Sequence, residues 1–75
     1  MKPDLITPRQ FKAARALLGY SREGFCHKAR FPITTLRLFE AGNPVSTAKV
    51  ATAVKAFEND GIRFVRDGVI LANPA

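Results

Sequence analysis

The chain has 75 residues, of which 47% are hydrophobic and 24% charged, a composition typical of one small folded domain and not of a disordered tail. No stretch approaches the roughly 20 apolar residues that a membrane span requires, and no secretion signal is evident, which predicts a cytoplasmic protein with no membrane contact. The net charge of +6 is concentrated in residues 9–37, which carry seven basic side chains and one acidic one. A localised basic surface is typical of nucleic-acid binding, but it can equally serve only to keep a protein dissolved.

A capping box opens the first predicted helix. The segment Thr7-Pro8-Arg9-Gln10 has an N-cap Thr, a Pro at the first helical position and a Gln three residues after the cap. Apolar residues follow at helical spacing, and they are Phe11, Ala14, Leu17 and Leu18. Gly19 then supplies the left-handed residue that commonly ends a helix. The pattern predicts a helix from the Thr7 cap to Gly19.

Two short helices follow with a tight connection between them. A Ser-capped helix is predicted over residues 22–29, and a second helix over residues 33–41 starts only three or four residues later. Because Leu36 and Phe39 form the inner face of the later helix, the helical period turns other positions toward solvent. These outward positions are Ile33, Thr34, Arg37 and Leu38. Residues 22–41 therefore form a predicted helix-turn-helix unit.

The last part of the chain changes from a helical to a β-prone pattern. A Ser-capped helix is predicted over residues 47–59, after which two β-prone runs flank the favourable turn Arg66-Asp67-Gly68. These runs predict a hairpin over residues 61–73, and because an isolated hairpin is marginal in water, it must pack on the helices or pair with another chain. The predicted fold is mainly α: one domain over residues 1–75, with four compact helices in 7–60 and a C-terminal β-hairpin or strand extension.

The segments ARALLGYSREGF and FPITTLRLFEAG, with the Ser-capped helix after them, resemble the phage-repressor-like, or Cro-like, family of bacterial and phage regulators. The resemblance runs from about Thr7 to Phe64. It implies a four-helix repressor-like domain in which the second helix of the helix-turn-helix unit enters the major groove of DNA, with its first residues at the base edges. The implied base-reading residues are Ile33, Thr34, Arg37 and Leu38.

The chain departs from the family pattern at the turn before this helix. Arg30 stands where Gly is usual, and a non-Gly residue in a left-handed conformation costs about 1–2 kcal/mol. Pro32 replaces the usual Ser or Thr cap, although Pro still suits the first turn of a helix. These departures leave open the shape of the turn and the first residue of the reading helix.

The resemblance also assigns residues that support base reading. It places Ser21 and Arg22 against a DNA phosphate at a helix N-terminus, where the helix dipole favours an anion. Further phosphate candidates are Thr34, Thr35 and Asn43. Arg15 and Glu40 match a buried ion pair that locks the first helix to the third, and we therefore interpret them as structural.

These features predict a sequence-specific regulator of transcription that binds double-stranded DNA, with repression favoured over activation. The small core and the hairpin favour a homodimer, which would bind a palindromic operator. Two strands could pair edge to edge, or the apolar face of the hairpin could pack across a two-fold axis. The residues of that face are Ile62, Phe64, Val69 and Leu71.

Other classes of function have less support in the sequence. No nucleophile stands with a plausible base, and His27 is the only histidine, which argues against an enzyme. No cofactor or metal site is predicted, and Cys26 is interpreted as a small buried apolar group. RNA binding lacks an aromatic platform for stacked bases. The alternative that stays open is an antitoxin-type module, which binds a partner protein through the tail or the fourth helix and also regulates its own operon.

Overall fold

The computed structural model describes residues 6–72. In chain order these residues form α1 (Pro8–Leu18), α2 (Arg22–Ala29), α3 (Ile33–Glu40), α4 (Thr47–Asn59), β1 (Ile62–Val65) and β2 (Gly68–Leu71). The predicted fold class, mainly α with a C-terminal β-hairpin, is confirmed. Residue 73, the last of the predicted hairpin segment, lies outside the described residues. No helix within residues 6–72 is long and apolar enough to cross a membrane.

The helices begin where their capping residues predict. The backbone amide of Gln10 donates to Thr7 Oγ1 at 3.1 Å, and the amide of Thr7 donates to Gln10 Oε1 at 2.9 Å, which completes the capping box. Ser21 and Ser46 cap α2 and α4, each accepting from the backbone amide three residues later. Each such cap satisfies an amide that the helix itself leaves without a partner.

Aromatic rings form the centre of the core. The ring of Phe11 is surrounded by Phe25, Phe31, Phe39 and Phe57, with centroid separations between 5.1 and 6.1 Å. Most of these rings pack edge to face, an arrangement that contributes stability beyond the burial of apolar surface. The core thus draws on all four helices, because these five rings lie on α1, α2, the turn before α3, α3 and α4.

One apolar residue of α1 does not follow the prediction. Leu17 is 46% exposed, whereas Phe11 and Ala14 are buried. The buried face of α1 follows Gln10, Phe11 and Ala14, and Leu17 lies at its margin. Leu18, one position further around the helix, packs against the core instead.

The hairpin packs on the helices through the face that was predicted to form a dimer. Strands β1 and β2 are antiparallel, and β2 lies on α1 while β1 lies on α4. Ile62 is 2% exposed and belongs to the core, against which Phe64, Val69 and Leu71 also pack. Within a single chain this apolar face therefore packs on the helices, and its contact with a second copy stays a prediction. Phe64 meets the ring of Phe57 on α4 with a centroid separation of 6.0 Å.

Candidate nucleic-acid interface

The turn of the helix-turn-helix unit keeps a tight shape without glycine. Arg30 adopts the left-handed conformation, with φ 53° and ψ 49°, directly after α2. The amide of Phe31 donates to the carbonyl of Cys26 at 2.9 Å, which closes the turn, and the side chain of Phe31 is buried. Pro32 is extended and gives no side-chain cap, and α3 begins at Ile33. The departures of Arg30 and Pro32 thus change neither the position of the turn nor the start of the helix.

Three of the four predicted base-reading residues form one exposed face of α3. Thr34 and Arg37 are exposed, Leu38 is 43% exposed, and Leu36 on the opposite face is fully buried. Residues separated by three and four positions lie on the same side of a helix, so these three side chains lie next to one another. Ile33 is half-buried, because a side chain in the first turn of a helix leans back toward the preceding segment.

A buried carboxylate holds α3 against the first two helices. The side chain of Glu40 has no solvent exposure and accepts from Arg15 Nε at 2.8 Å and Arg15 Nη2 at 3.0 Å. Arg22 Nε donates to the same carboxylate at 3.1 Å. The predicted pair of Arg15 with Glu40 is present, and the participation of Arg22 is a contact that the sequence analysis missed. A fully buried carboxylate requires such complete pairing to offset its lost hydration.

Two of the predicted phosphate-binding residues, Arg22 and Asn43, lie near the C-terminal end of α3. Ser21 and Arg22 stand at the start of α2, and although Arg22 Nε is engaged by Glu40, its two amino groups donate no hydrogen bond within residues 6–72. Asn43 is exposed in the loop after α3, and its amide donates to the carbonyl of Leu38 at 2.9 Å. Thr35 is half-buried, which limits its access to a ligand.

An acidic residue that the sequence analysis did not assign stands beside this face. Glu23 Oε2 lies 3.8 Å from Arg37 Nη2, and both side chains are largely exposed, at 74% and 62%. The contact places the first turn of α2 next to the middle of α3. An exposed pair at this distance contributes little free energy, so Arg37 can exchange Glu23 for another acceptor at small cost.

Part of the predicted basic excess is neutralised by residues from elsewhere in the chain. Lys28 Nζ donates to Asp60 Oδ1 at 2.8 Å, and Tyr20 donates to the other oxygen of Asp60 at 3.1 Å. The hydrogen bond to Asp60 raises the pKa of Lys28, so this side chain stays protonated. Arg15 and Arg22 donate hydrogen bonds to Glu40. The exposed basic residues of the 9–37 segment that donate no hydrogen bond to a carboxylate within residues 6–72 are Arg9, Lys12, Arg30 and Arg37.

The side chains of His27 and Cys26 were the remaining candidates for a reactive or metal-binding site. His27 is exposed, and Cys26 is half-buried beside the core. Burial raises the pKa of the Cys26 thiol, which favours the unreactive neutral form. Residues 6–72 contain no group of three or more His, Cys, Asp or Glu side chains that could hold a metal ion.

No protein-family model, curated protein or solved structure matches this chain. The surface formed by α2 and α3 is therefore the feature from which a function can be inferred.

Proposed function

We propose that this chain is a sequence-specific regulator of transcription that reads the major groove of double-stranded DNA with α3. The observation that carries the proposal is the exposed face of Thr34, Arg37 and Leu38 on a helix whose opposite face is fully buried. An α-helix fits the major groove, where base edges present distinct donors, acceptors and methyl groups. A helix held on one side by a core and free on the other can enter that groove without rearrangement.

The side chains on this face match what base edges offer. Leu38 is a large apolar residue that is 43% exposed, and contact with a thymine methyl group would cover it. Arg37 is long enough for paired hydrogen bonds to guanine or for a phosphate, and Thr34 can donate or accept. Ile33, although half-buried, lies beside Thr34 at the start of the same helix and can add an apolar contact.

Phosphate contacts supply most of the affinity of such proteins, and three features of this surface support them. The Ser21-capped start of α2 presents backbone amides next to α3, and helix dipoles favour an anion at that end. The free amino groups of Arg22 lie at the same place. Asn43, in the loop after α3, is exposed near the same end of that helix and offers a further polar side chain.

The regulator acts as a homodimer on a palindromic operator, with half-sites about one DNA turn, roughly 34 Å, apart. The hairpin supports this part of the proposal through its outer face, where Val65 is 37% exposed and Ile70 is 43% exposed. A second copy would cover these residues either by pairing of strand edges or by packing of the outer faces. The proposed dimer contact thus uses the outer face of the hairpin, because the inner side chains already pack on the helices.

The experiment is in-vitro selection of DNA from a random duplex pool at several salt concentrations, followed by fluorescence anisotropy with the selected and a scrambled duplex. Arg37→Ala and Thr34→Ala are expected to weaken binding to the selected duplex by about 1–3 kcal/mol and binding to the scrambled duplex much less. Lys55→Ala, a change of an exposed lysine on α4 away from α3 and from the outer face of the hairpin, is the matched control and should leave the preference unchanged.

Two results would contradict the proposal. The first is a wild-type chain with no preference among duplexes at physiological salt. The second is an equal loss on both duplexes for Arg37→Ala, which would mean that Arg37 contacts only the DNA backbone.

RNA binding by base stacking has no support in the described residues. The six phenylalanine rings and the ring of Tyr20 are all buried or half-buried, whereas single-stranded recognition needs exposed aromatic platforms.

A partner-binding antitoxin remains a second candidate, and the exposed Val65 and Ile70 are the observation that favours it. A different protein chain could cover these residues instead of a second copy. Light scattering on the purified chain separates the two: a dimer supports the homodimeric regulator, and a stable monomer supports a heterologous partner at this face.

A further inference from the structure

A groove of about 430 Å³ lies between α2 and α4. The two helices meet through the stacked rings of Phe25 and Phe57, whose centroids are 4.5 Å apart. The ion pair of Lys28 with Asp60 is a second link between them. No residue of α3 lines this groove, so it is separate from the proposed DNA-reading face. Its volume is within the range of roughly 300–1,000 Å³ that small-molecule sites occupy.

Small apolar side chains keep the groove open. Ala29 on α2 and Ala56 on α4 form its floor with Phe25, and both alanines are half-buried against the core. Methyl groups at these positions leave a broad apolar floor that a larger side chain would fill. Such a floor favours a flat apolar body, because a rigid ring buries much surface with little loss of conformational freedom.

The rim of the groove carries an excess of positive charge. Lys28 and Lys55 stand on opposite helices, and Asp60 is the one acidic residue in the lining. Asp60 is occupied by Lys28, at 2.8 Å, and by Tyr20. Lys55 is exposed and has no ion-pair partner within residues 6–72. A ligand with one negative group therefore complements the rim, and a cationic ligand does not.

We infer that the groove between α2 and α4 is a binding site for a small aromatic carboxylate, whose ring lies on Ala29 and Ala56 and whose carboxylate binds Lys55. This site does not depend on the proposed DNA binding, so a negative result for either proposal leaves the other untouched. Because the ligand would contact both helices, its binding should also stabilise the folded chain.

The test uses 2-naphthoate as the probe and the full chain labelled with ¹⁵N. Titration should give saturable shifts of the backbone amides around Ala29, Lys55 and Ala56 in NMR spectra, with small changes elsewhere. Lys55→Gln should weaken binding by about fivefold, the value of one partly exposed charge pair. Lys49→Gln removes a lysine of the same helix outside the groove and should have no effect. The neutral 2-naphthamide should bind more weakly than the acid.

A second variant tests the floor of the groove. Ala56→Leu should abolish the response by filling the space, and circular dichroism establishes that the variant is folded. If Ala56→Leu does not fold, Lys55→Glu replaces it. Lys55 is exposed, so this change should not disturb folding, and the new negative charge should repel the carboxylate of the probe. The inference is overturned by the absence of saturable shifts at millimolar probe, by equal binding of the acid and the amide, or by unchanged binding to these variants. Shifts of the same amides on dilution of the protein alone would assign the groove to a second copy and also overturn it.

Discussion

At the scale of single residues, the helix-turn-helix unit contains two energetically costly features: the backbone conformation of Arg30 and the buried charge of Glu40. Arg30 holds a left-handed backbone conformation that lacks strain only for glycine. Glu40 is a buried carboxylate, which is costly without partners, and it is held by Arg15 and Arg22. Arg30 precedes α3 and Glu40 is its last residue, so the two fix the entry and the end of that helix.

The first prediction concerns the strain at Arg30. Arg30→Gly should raise the free energy of unfolding by about 1 kcal/mol, because glycine adopts a positive φ without the clash of a Cβ atom. Urea denaturation followed by circular dichroism measures the change. Arg30→Ala is the control, since it removes the same charge but keeps the Cβ atom, and it should give no gain. Equal stabilisation by both variants would attribute the effect to charge and not to backbone conformation.

The second prediction concerns the half-buried thiol. Because burial raises the pKa of Cys26 above its ordinary value of 9.0, iodoacetamide should alkylate the native chain more slowly than the urea-unfolded chain at mildly alkaline pH. The sign for stability follows: the unfolded thiol ionises first, so this group lowers the free energy of unfolding as pH rises through 9.0. Native and unfolded chains that react equally fast would show an accessible, unperturbed thiol.

At the scale of the elements, the side chain of Gln10 joins a helix to the hairpin. Its oxygen completes the capping box of α1, and its amide nitrogen donates to the carbonyls of Val65 and Gly68, at 2.8 and 3.1 Å. The turn between those two residues therefore sits over the N-terminus of α1. Thus one side chain caps a helix and also determines where the hairpin turn docks.

The third prediction separates these two roles of Gln10. Gln10→Glu keeps an oxygen for the cap but replaces the donor amide by an acceptor that faces two carbonyls. It should lower the free energy of unfolding by about 2 kcal/mol, about 1 for each lost hydrogen bond. Thr7→Ala, which removes the cap and leaves the hairpin contact, should cost about 1 kcal/mol. Hydrogen exchange should show lost protection in the hairpin for Gln10→Glu only, and uniform loss in both variants would contradict the assignment.

At the scale of the whole molecule, the hairpin is part of the domain and not an appendage. Ile62 is in the core and the turn is bound to α1, so deletion of the hairpin would open the core as well as remove a surface. Its outer face, with Val65 and Ile70 exposed, is the part that can meet another chain. Scattered apolar side chains on a surface are ordinary, and it is their position on a two-stranded sheet with unpaired edges that favours self-association.

The fourth prediction tests that outer face. Ile70→Lys should keep the helical circular dichroism signal and convert the proposed homodimer into a monomer in light scattering, because a charge at an apolar contact is costly to bury. Ile70→Val, which keeps the apolar character, should remain dimeric. A lysine variant that is as dimeric as the wild type would exclude this face of the hairpin as the interface.

The sequence by itself determined the elements, because helix ends depend on local chemistry. The capping box at Thr7, the Ser caps at Ser21 and Ser46 and the turn at Asp67 each act within a few residues. Helical period was also sufficient to separate buried Leu36 from the exposed face of α3. The predicted pair of Arg15 with Glu40 came from the family resemblance and not from local pattern.

Only the tertiary structure decided which residues from distant parts of the chain meet. It brought Asp60 to Lys28, placed Glu40 between two arginines, and turned the apolar face of the hairpin inward. As a result, part of the basic charge of residues 9–37 is paired with carboxylates, and the apolar face of the hairpin is packed within the chain. The physical reason is that charge pairing and apolar burial depend on distance in space, and a linear pattern does not state which of several surfaces will cover a given face.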